Sequence, residues 1–352
     1  MLALSLMGFA TSLPGAMATF TKPSSAHVRE LEAAFGLSGQ WTLESIEAGS
    51  VNSNFMLIQA DRRYFVRIYE QQDLEGARNE WHLVDWLKKA GHPVPARVAP
   101  VAGGVPTIEG KAVGLFECVE GDELCLARVT EAHTRRVGTL LAQQHGLTPP
   151  SGLGAGRFSP DGLLRTAERL GEDPRVDEVM RADITRAREI VLHHADIYTS
   201  VLPQAVIHGD LFRDNVRWRI PPTSPSVEGP AAAPEAVILD WESAHLGPRL
   251  LDVAIVILAW TFTDTFNWRL AQACGAAYSE AVAVTDQELA RLPDLFAYAC
   301  ARFALTRIAD FHLKLADGGE PIRHYTRLFD RLRVLDTLAP AELARRCGLT
   351  LT

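Results

Sequence analysis

A short stretch of the sequence, AVIHGDLFRDNVRW at residues 205–218, places polar side chains directly after an apolar run. It contains Asp210 and, five positions later, Asn215, while Asp240 ends the next apolar run along the chain. Transfer of a phosphoryl group to an alcohol needs a carboxylate that orients the hydroxyl and accepts its proton, and oxygen ligands for a Mg²⁺ ion that bridges the nucleotide phosphates. Asp210 can be that base, and Asn215 and Asp240 can be the metal ligands.

The elements around this stretch predict how these side chains are held. An apolar run that ends in a carboxylate presents the acid at the end of a strand, so a strand–loop–strand unit is expected at 205–240. We expect His208 to support the loop by hydrogen bonding, and Asp252, in RLLDVA, to anchor it from the start of a helix. A lone HGD could simply be a turn, so the prediction depends on the combination of HGDxxxxN with the later aspartate.

The N-terminal part is typical of a small β-rich unit with one main helix. A short capped helix is predicted at 24–36, from a serine start to a glycine stop. β-rich runs follow, with FMLIQA and RYFVRIYE on either side of a polar turn at 61–63 and two more strands around Gly110. The apolar spacing of GARNEWHLVDWLKKAG, residues 76–91, predicts the main helix.

From residue 123 onward the pattern is mostly helical, apart from the strand–loop–strand unit. A Pro/Ala/Ser-rich stretch at 221–235 predicts a surface insertion. The predicted fold class is therefore α+β and bilobal, with an N-lobe at 24–118, a hinge near 117–122 and a larger C-lobe at 119–352. Helices of the C-lobe are predicted at 130–145, 175–200, 250–260, 266–283, 286–315 and 321–335.

Composition narrows the class of protein. The chain has 352 residues, 47% of them hydrophobic and 22% charged, as in a globular protein with a sizeable core. A net charge of −8 argues against a protein that mainly binds nucleic acid, and no apolar segment reaches the length of a membrane span. Five cysteines without regular spacing suit a reducing cytoplasm. Residues 1–23 are expected to be a disordered or mis-started extension, with translation beginning at Met17.

With HGDxxxxN and ILDWE as its motifs, the chain resembles the aminoglycoside phosphotransferase/choline kinase branch of the protein-kinase-like fold over residues 40–315. The resemblance implies ATP and Mg²⁺ as cofactors and a small-molecule alcohol as acceptor, with no nucleic-acid or membrane partner. It gives Asp210 the role of catalytic base and makes Asn215 and Asp240 metal ligands, in agreement with the residue types themselves.

The resemblance further implies a nucleotide site in the N-lobe. The basic residue of the third strand, Arg67 in YFVRIYE, would contact the α- and β-phosphates with Glu80 as its helix partner. Alone, this pair could equally be an ordinary salt bridge. Many relatives carry lysine at that strand position, and arginine brings the same charge on a broader, planar fork. Adenine would bind the backbone C=O of Glu117 and the backbone N–H of Val119 at the hinge.

The loop that would cover the phosphates is EAGSVNSNF, residues 47–55, which has one glycine where protein kinases have several. Small polar residues can replace glycine by offering backbone N–H groups and side-chain donors to phosphate. A polar hairpin turn is the alternative interpretation of the same stretch. The residues expected to bind the nucleotide here are Ser50, Asn52 and Asn54.

Two stretches, HGDLFRDNVRW and ARFALTRIADFHLK, are similar to the homoserine kinases of this branch, which implies homoserine as the acceptor. Homoserine is a zwitterion, so its site needs a cation for the carboxylate and an acid for the ammonium group. Arg213 or Arg307 would supply the cation, and Glu242 or Asp310 the acid. Alternatively, Arg307 and Asp310, three residues apart on a predicted helix, pair only with each other.

Two other functions stay open at this point. The stretch DWESAHLGPRLLD, residues 240–252, is closer to the generic branch, so the acceptor could be choline, an aminoglycoside or another amino alcohol. A pocket made acidic by Glu242, Asp310 and Asp317 would favour such a cationic acceptor. A non-catalytic, nucleotide-binding pseudokinase is the alternative from another class, because the phosphate loop and Arg67 depart from the usual pattern.

Overall fold

The computed structural model, which describes residues 21–46, 51–199, 202–219, 234–313 and 324–351, joins the N-lobe strands in one antiparallel sheet. The strands are β1 (Thr42–Ile46), β2 (Ser53–Gln59), β3 (Arg62–Ile68), β4 (Thr107–Ile108) and β5 (Lys111–Glu117). They lie in the order β1-β2-β3-β5-β4. Two helices, α1 (Ser25–Phe35) and α2 (Leu74–Lys89), cover the two faces of this sheet.

The alternation of side chains along β3 decides which residues face which helix. Val66 and Ile68 belong to the cluster that packs under α1. Tyr69 belongs to the larger core, which includes α2 and extends into the C-lobe. Because successive side chains of a strand point to opposite faces, Arg67 lies on the α2 side. The strand therefore turns one cation toward the helix and the C-lobe.

The C-lobe combines helices with two short antiparallel strand pairs. β6 (Gln204–Ile207) pairs with β9 (His245–Pro248), and β7 (Val216–Arg219) pairs with β8 (Glu235–Ile238). The loops that carry HGD and ILDWE connect these strands. The helices are α3 (Glu131–His145), α4 (Pro160–Gly171), α5 (Glu178–His193), α6 (Arg249–Trp260), α7 (Trp268–Ser279), α8 (Asp286–Ala290), α9 (Leu292–Arg307), α10 (Thr326–Leu335) and α11 (Pro340–Cys347).

The α+β, bilobal fold class is confirmed, and most predicted helices are present with shorter bounds. The helix expected at 286–315 is instead α8 followed by α9, and α9 runs into a π-helical turn at Ile308–His312. Two helices, α4 and α11, were not predicted, although each begins with a proline at its first position, which is a common helix start.

Several predictions concern residues outside the described ranges. They are the start at Met17, most of the extension at 1–23, Ser50 of the phosphate loop, Asp317, and nearly all of the insertion at 221–235. Thr21, which is described, is buried and accepts a hydrogen bond from the Lys111 Nζ at 2.8 Å. In the described parts of the chain, no helix has the length and apolar character needed to cross a bilayer.

The chain passes from one lobe to the other directly after β5. Asp122 exchanges two backbone hydrogen bonds with Trp218 of β7, each 2.9 Å long. Gly121 has a φ of 142°, and a Cβ there would lie 2.7 Å from the Trp218 carbonyl oxygen. Glycine is therefore required at this position. The connection is already bound to the C-lobe at Asp122.

Close packing of α3 on α7 predicts the effect of one substitution. A Cβ at Gly138 would lie 2.1 Å from the backbone oxygen of Cys274 in α7. Gly138→Ala should therefore push the two helices apart and lower the free energy of unfolding by about 1–3 kcal/mol, measured by urea denaturation. Gly171→Ala at the end of α4, where nothing lies within 4 Å of the added Cβ, is the control. Equal stability of the two variants would contradict the prediction.

Candidate active site

Asp252, in the first turn of α6, holds the loop that carries Asp210. Its carboxylate accepts hydrogen bonds from the backbone N–H groups of His208 at 2.6 Å and Gly209 at 2.8 Å. Burial alone would raise the pKa of Asp252, but the hydrogen bond with His145 and the backbone donors hold that pKa below its usual value. An ionised, fully buried carboxylate therefore fixes the backbone of the HGD turn.

His208 links the HGD loop to the ILDWE loop. Its Nδ1 accepts a hydrogen bond from the backbone N–H of Asp210 at 3.2 Å, and its Nε2 donates to the carbonyl oxygen of Leu239 at 2.9 Å. This pattern requires a neutral imidazole with its proton on Nε2. Gly209, between His208 and Asp210, has a φ of 74°, and a Cβ there would lie 2.9 Å from the Ser243 carbonyl oxygen. The turn therefore needs glycine at this position.

The structure brings together Asp210, Asn215 and Asp240, the three residues predicted to carry the chemistry. The Asn215 Nδ2 donates to the backbone oxygen of Asp210 at 2.8 Å. The backbone N–H of Leu239 donates to the backbone oxygen of Asn215 at 2.8 Å, which places Asp240 in the next position. Asp240 has φ 61° and ψ 70°, a left-handed conformation that is uncommon for a residue with a side chain and concentrates at functional sites.

Arg67 of β3 joins the N-lobe to this loop. Its Nη1 lies 2.7 Å from the Asp240 Oδ1 and 3.3 Å from the Glu80 Oε1 on α2. The pair of Arg67 with Glu80 that the sequence predicts is therefore present, and Arg67 also binds the predicted metal ligand. Burial alone would lower the pKa of Arg67, but Asp240, Glu80 and Glu242 together raise it well above its usual value.

Three carboxylates share the single guanidinium of Arg67. The third, Glu242, has its Oε2 4.0 Å from the Arg67 Nη1. Burial raises the pKa of Glu80 to about 8, and burial together with the charge of Asp240 raises the pKa of Glu242. Burial acts on Asp240 too, but Arg67 outweighs it and lowers the Asp240 pKa, so this carboxylate stays ionised. Asp240 is therefore the carboxylate of the three that stays charged and can be shared between Arg67 and a further cation.

The donors present here fit a divalent cation. A carboxylate from Asp240 and an amide oxygen from Asn215 are the hard oxygen ligands that Mg²⁺ and Ca²⁺ prefer. The described residues contain no cluster of three or more His, Cys, Asp or Glu side chains that could enclose a metal. Mg²⁺ sites in phosphoryl-transfer enzymes commonly use one or two protein ligands and complete the shell with substrate phosphates and water.

Asn52 and Asn54 of the predicted phosphate loop lie on the N-lobe side of the site. The Asn52 Nδ2 donates to Glu242, and the Asn52 Oδ1 accepts from the backbone N–H of Glu70 at 3.2 Å. Asn54 is buried on β2 and pairs in register with Arg67 of β3. Both asparagines are therefore next to the residues that surround Asp240.

Glu117 and Val119, predicted to bind adenine through their backbone, lie at the end of β5 and in the segment between the lobes. The Glu117 N–H donates to the carbonyl oxygen of Ala96 at 2.8 Å. The prediction concerns the other backbone group of this residue, the Glu117 carbonyl oxygen. Their role in nucleotide binding stays a prediction.

The residues predicted to bind the acceptor lie on several elements, and their role in acceptor binding stays a prediction. Arg213 donates to the carbonyl oxygen of Ala259 at the end of α6. Arg307 is buried, and its Nη1 donates to the carbonyl oxygen of His324 at 3.1 Å. Asp310 lies in the π-helical turn after α9. Glu242 instead lies beside Asp240, bound by Asn52 and by Arg157.

Two arginines near the site were not predicted from the sequence. The Arg302 Nη1 lies 3.3 Å from the Asp210 Oδ1, and the Arg157 Nη2 lies 3.0 Å from the Glu242 Oε1. A signal existed for Arg302, since it is one of the few charged residues on α9, an otherwise apolar helix, and buried arginines are nearly always paired. No comparable signal marks Arg157 in the loop before α4.

This architecture defines a class of protein. A five-stranded sheet with a cation paired to a helix glutamate, above loops that present Asp210, Asn215 and Asp240, is the arrangement of a protein-kinase-like phosphotransferase. Residues 42–292 match the phosphotransferase enzyme family, and the chain belongs to that family.

Individual proteins agree with this assignment. The chain is 30% identical over 308 residues to the homoserine kinase of Phenylobacterium zucineum strain HLK1, which covers 84% of this chain and 88% of the relative. Among solved structures, an amicoumacin kinase in complex with AMP-PNP and Ca²⁺ is similar with a TM-score of 0.66 at 13% identity, over 91% of this chain and 95% of that one. A microcompartment-associated aminopropanol kinase has a TM-score of 0.61 at 16% identity, over 93% and 100%.

The expected fold and enzyme class are therefore confirmed. The chain is a small-molecule phosphotransferase that acts on a hydroxyl group, and its class uses ATP and a divalent metal ion.

The buried His245 behind the HGD loop predicts how stability depends on pH. Its Nδ1 donates to the Ser243 carbonyl oxygen at 2.7 Å, its Nε2 bonds with the Tyr198 hydroxyl at 3.0 Å, and burial lowers the pKa of His245 to about 4. The unfolded chain binds this proton near pH 6.5, so the contribution to stability is complete above that pH and is lost as the pH falls toward 4.

His245→Gln should therefore flatten the fall in unfolding free energy between pH 6 and pH 5 by about 1.4 kcal/mol per pH unit, measured by urea denaturation. His82→Gln, at an exposed position of α2, is the matched control and should keep the slope of the unsubstituted chain. Parallel curves for all three proteins would show that His245 is not the titrating group.

Proposed function

We propose that this protein is an ATP- and Mg²⁺-dependent kinase that phosphorylates the side-chain hydroxyl of homoserine. The observation that carries the catalytic part is the proximity of Asp210, Asn215 and Asp240, which are linked through the Asn215 side chain and the Leu239 N–H and are tied to the N-lobe by the Arg67–Asp240 ion pair. Homoserine as the acceptor is supported by the 30% identity to a homoserine kinase over 84% of the chain. The free thiols of all five cysteines support the cytoplasmic location that we also propose.

Asp210 is the base in this proposal. One third of its side chain is exposed, so an incoming hydroxyl can reach it, while the Asp252 and His208 contacts fix its backbone. The carboxylate orients the acceptor hydroxyl toward the γ-phosphorus and takes its proton as the new P–O bond forms. Because the transition state is loose, most of the acceleration comes from alignment and from placed charges.

Arg67, with Glu80 behind it, contacts the α- and β-phosphates of ATP, and the asparagines Asn52 and Asn54 offer donors on the same side. Asp240 and Asn215 would hold the Mg²⁺ ion. When bound, that ion supplies neutralisation of the charge on the β- and γ-phosphates. The 2.7 Å separation of Arg67 from Asp240 supports this assignment, since it puts a cation for the phosphates beside a carboxylate for the metal ion.

Removal of the base gives a direct test. Asp210→Asn should lower kcat by about a hundredfold or more, because an amide can accept a hydrogen bond but cannot take the proton. ATP binding, measured by calorimetry with a non-hydrolysable analogue, should change little, since Asp210 lies on the acceptor side. Asp214→Asn makes the same chemical change four residues further along the loop and should retain most of the activity. Near-normal turnover by Asp210→Asn would exclude Asp210 as the base.

The acceptor is tested by a panel of alcohols. With ATP and Mg²⁺, the purified protein should phosphorylate L-homoserine with a higher kcat/KM than choline, ethanolamine or an aminoglycoside. The rate is measured as the release of ADP. Higher kcat/KM for one of the other three would contradict homoserine and identify an amino-alcohol kinase. No ADP release with any acceptor would favour a nucleotide-binding module without catalytic activity.

A further inference from the structure

Arg302 occupies an unusual position for a charged residue. It lies on α9, its side chain is only 4% exposed, and its Nη1 is 3.3 Å from the Oδ1 of the base Asp210. Removal of a guanidinium from water costs several kcal/mol, which one contact with a partly exposed carboxylate offsets incompletely. The fold therefore keeps a costly cation beside the reacting group.

The guanidinium is held between two aromatic rings. The Arg302 Cζ lies 4.0 Å from the ring centroid of Phe158 and 4.0 Å from that of Phe303. The Tyr298 hydroxyl donates to the Phe158 carbonyl oxygen at 2.8 Å, and this bond holds the loop that carries Phe158 against α9. Cation–π contacts stabilise the charge but leave the edge of the guanidinium plane for hydrogen bonds.

Part of that edge is unused. Within the described part of the chain, the Arg302 Nε is buried and has no hydrogen-bond partner. Burial is also the main cause that lowers the pKa of Arg302, with Asp210 acting in the opposite direction. An arginine fork with a buried donor left over, next to the base, is suited to a second planar anion such as a carboxylate.

A second pair of opposite charges lies next to Phe158. The Arg157 Cζ lies 4.6 Å from the Phe158 ring centroid, and its Nη2 lies 3.0 Å from the Glu242 Oε1. Phe158 is thus in contact with two arginines, each of which is paired with a carboxylate, Glu242 or Asp210. A zwitterion, with its carboxylate near Arg302 and its ammonium group near Glu242, matches this distribution of charge, whereas a polycation does not.

We propose that Arg302 determines specificity by binding the carboxylate of an amino-acid acceptor while its Nη1 contact aligns Asp210. This inference rests on the proposed function and names the residue behind its acceptor preference, in place of Arg213 or Arg307. Asp210 binds the reacting hydroxyl and Arg302 the carboxylate, so both ends of the acceptor are held from neighbouring side chains. An amino alcohol without a carboxylate leaves the buried donor of Arg302 unpaired and is turned over more slowly.

The test compares two acceptors that differ in one group. L-homoserine and 3-aminopropan-1-ol, which is homoserine with its carboxylate replaced by hydrogen, are assayed with the unsubstituted enzyme and with Arg302→Gln. The substitution should lower kcat/KM for both acceptors, because Asp210 loses its contact with Arg302. It should lower kcat/KM for homoserine by about ten- to a hundredfold more, because only homoserine loses a charged hydrogen bond of about 1.5–3 kcal/mol to Arg302. The additional loss should fall mainly on KM.

Arg302→Lys keeps the charge without the planar fork and provides the same comparison if the glutamine variant does not fold, which thermal denaturation will show. This variant should recover the kcat/KM for 3-aminopropan-1-ol more fully than it recovers the ratio of kcat/KM values that expresses the preference for homoserine. Arg135→Gln, at an exposed surface ion pair, is the control and should leave kcat/KM for both acceptors unchanged.

The two proposals fail in different ways. If the unsubstituted enzyme does not prefer homoserine to 3-aminopropan-1-ol, the proposed function is wrong and the inference is wrong with it. If the unsubstituted enzyme prefers homoserine but Arg302→Gln lowers kcat/KM for both acceptors by the same factor, the proposed function stands and Arg302 is only a positioning residue for Asp210. An equal loss with Arg302→Lys leads to the same conclusion.

Discussion

The ion pair between Arg67 and Asp240 is the interaction on which the arrangement of the site depends. It is 2.7 Å long, and it joins a strand of the N-lobe to the loop of the C-lobe that carries the predicted metal ligand. Glu80 and Glu242 also lie close to this guanidinium, but the pKa of each is raised, so Asp240 is the carboxylate that carries the charge of the pair. Burial of such an ion pair costs desolvation free energy, and its position suits a site that binds a cation together with phosphates.

The loop of Asp210, the proposed base, is held in a different way, by hydrogen bonds to the backbone. Asp252 accepts from two successive N–H groups, and the imidazole of His208 bonds to both neighbouring loops. One third of the Asp210 side chain is exposed, and its Oδ1 lies 3.3 Å from the Arg302 Nη1. The rigid backbone below the site and the fixed charges within it act together, because fixed dipoles and charges stabilise a transition state without reorganisation.

The sequence was informative wherever the chemistry lies in one continuous stretch. HGDxxxxN and ILDWE each follow an apolar run, so Asp210, Asn215 and Asp240 could be predicted from spacing, whereas Arg67 and its partner Glu80 came from the resemblance to the family. Contacts between distant elements were missed, since Arg302 is 92 residues from Asp210 and depends on how α9 packs. Arg213 and Arg307 were assigned to the acceptor by similarity of a motif; each donates to a backbone carbonyl oxygen, and their role in acceptor binding stays a prediction.

The backbone bonds of Asp122 to Trp218 limit how the two lobes can move. A Cβ at Gly121 would meet the Trp218 carbonyl, and Asp122 is bound to β7 by two hydrogen bonds, so along this crossing a rotation of the N-lobe would have to be taken up by the backbone of Cys118, Val119 and Glu120. A rotation of that kind would change the separation of Arg67 from Asp240.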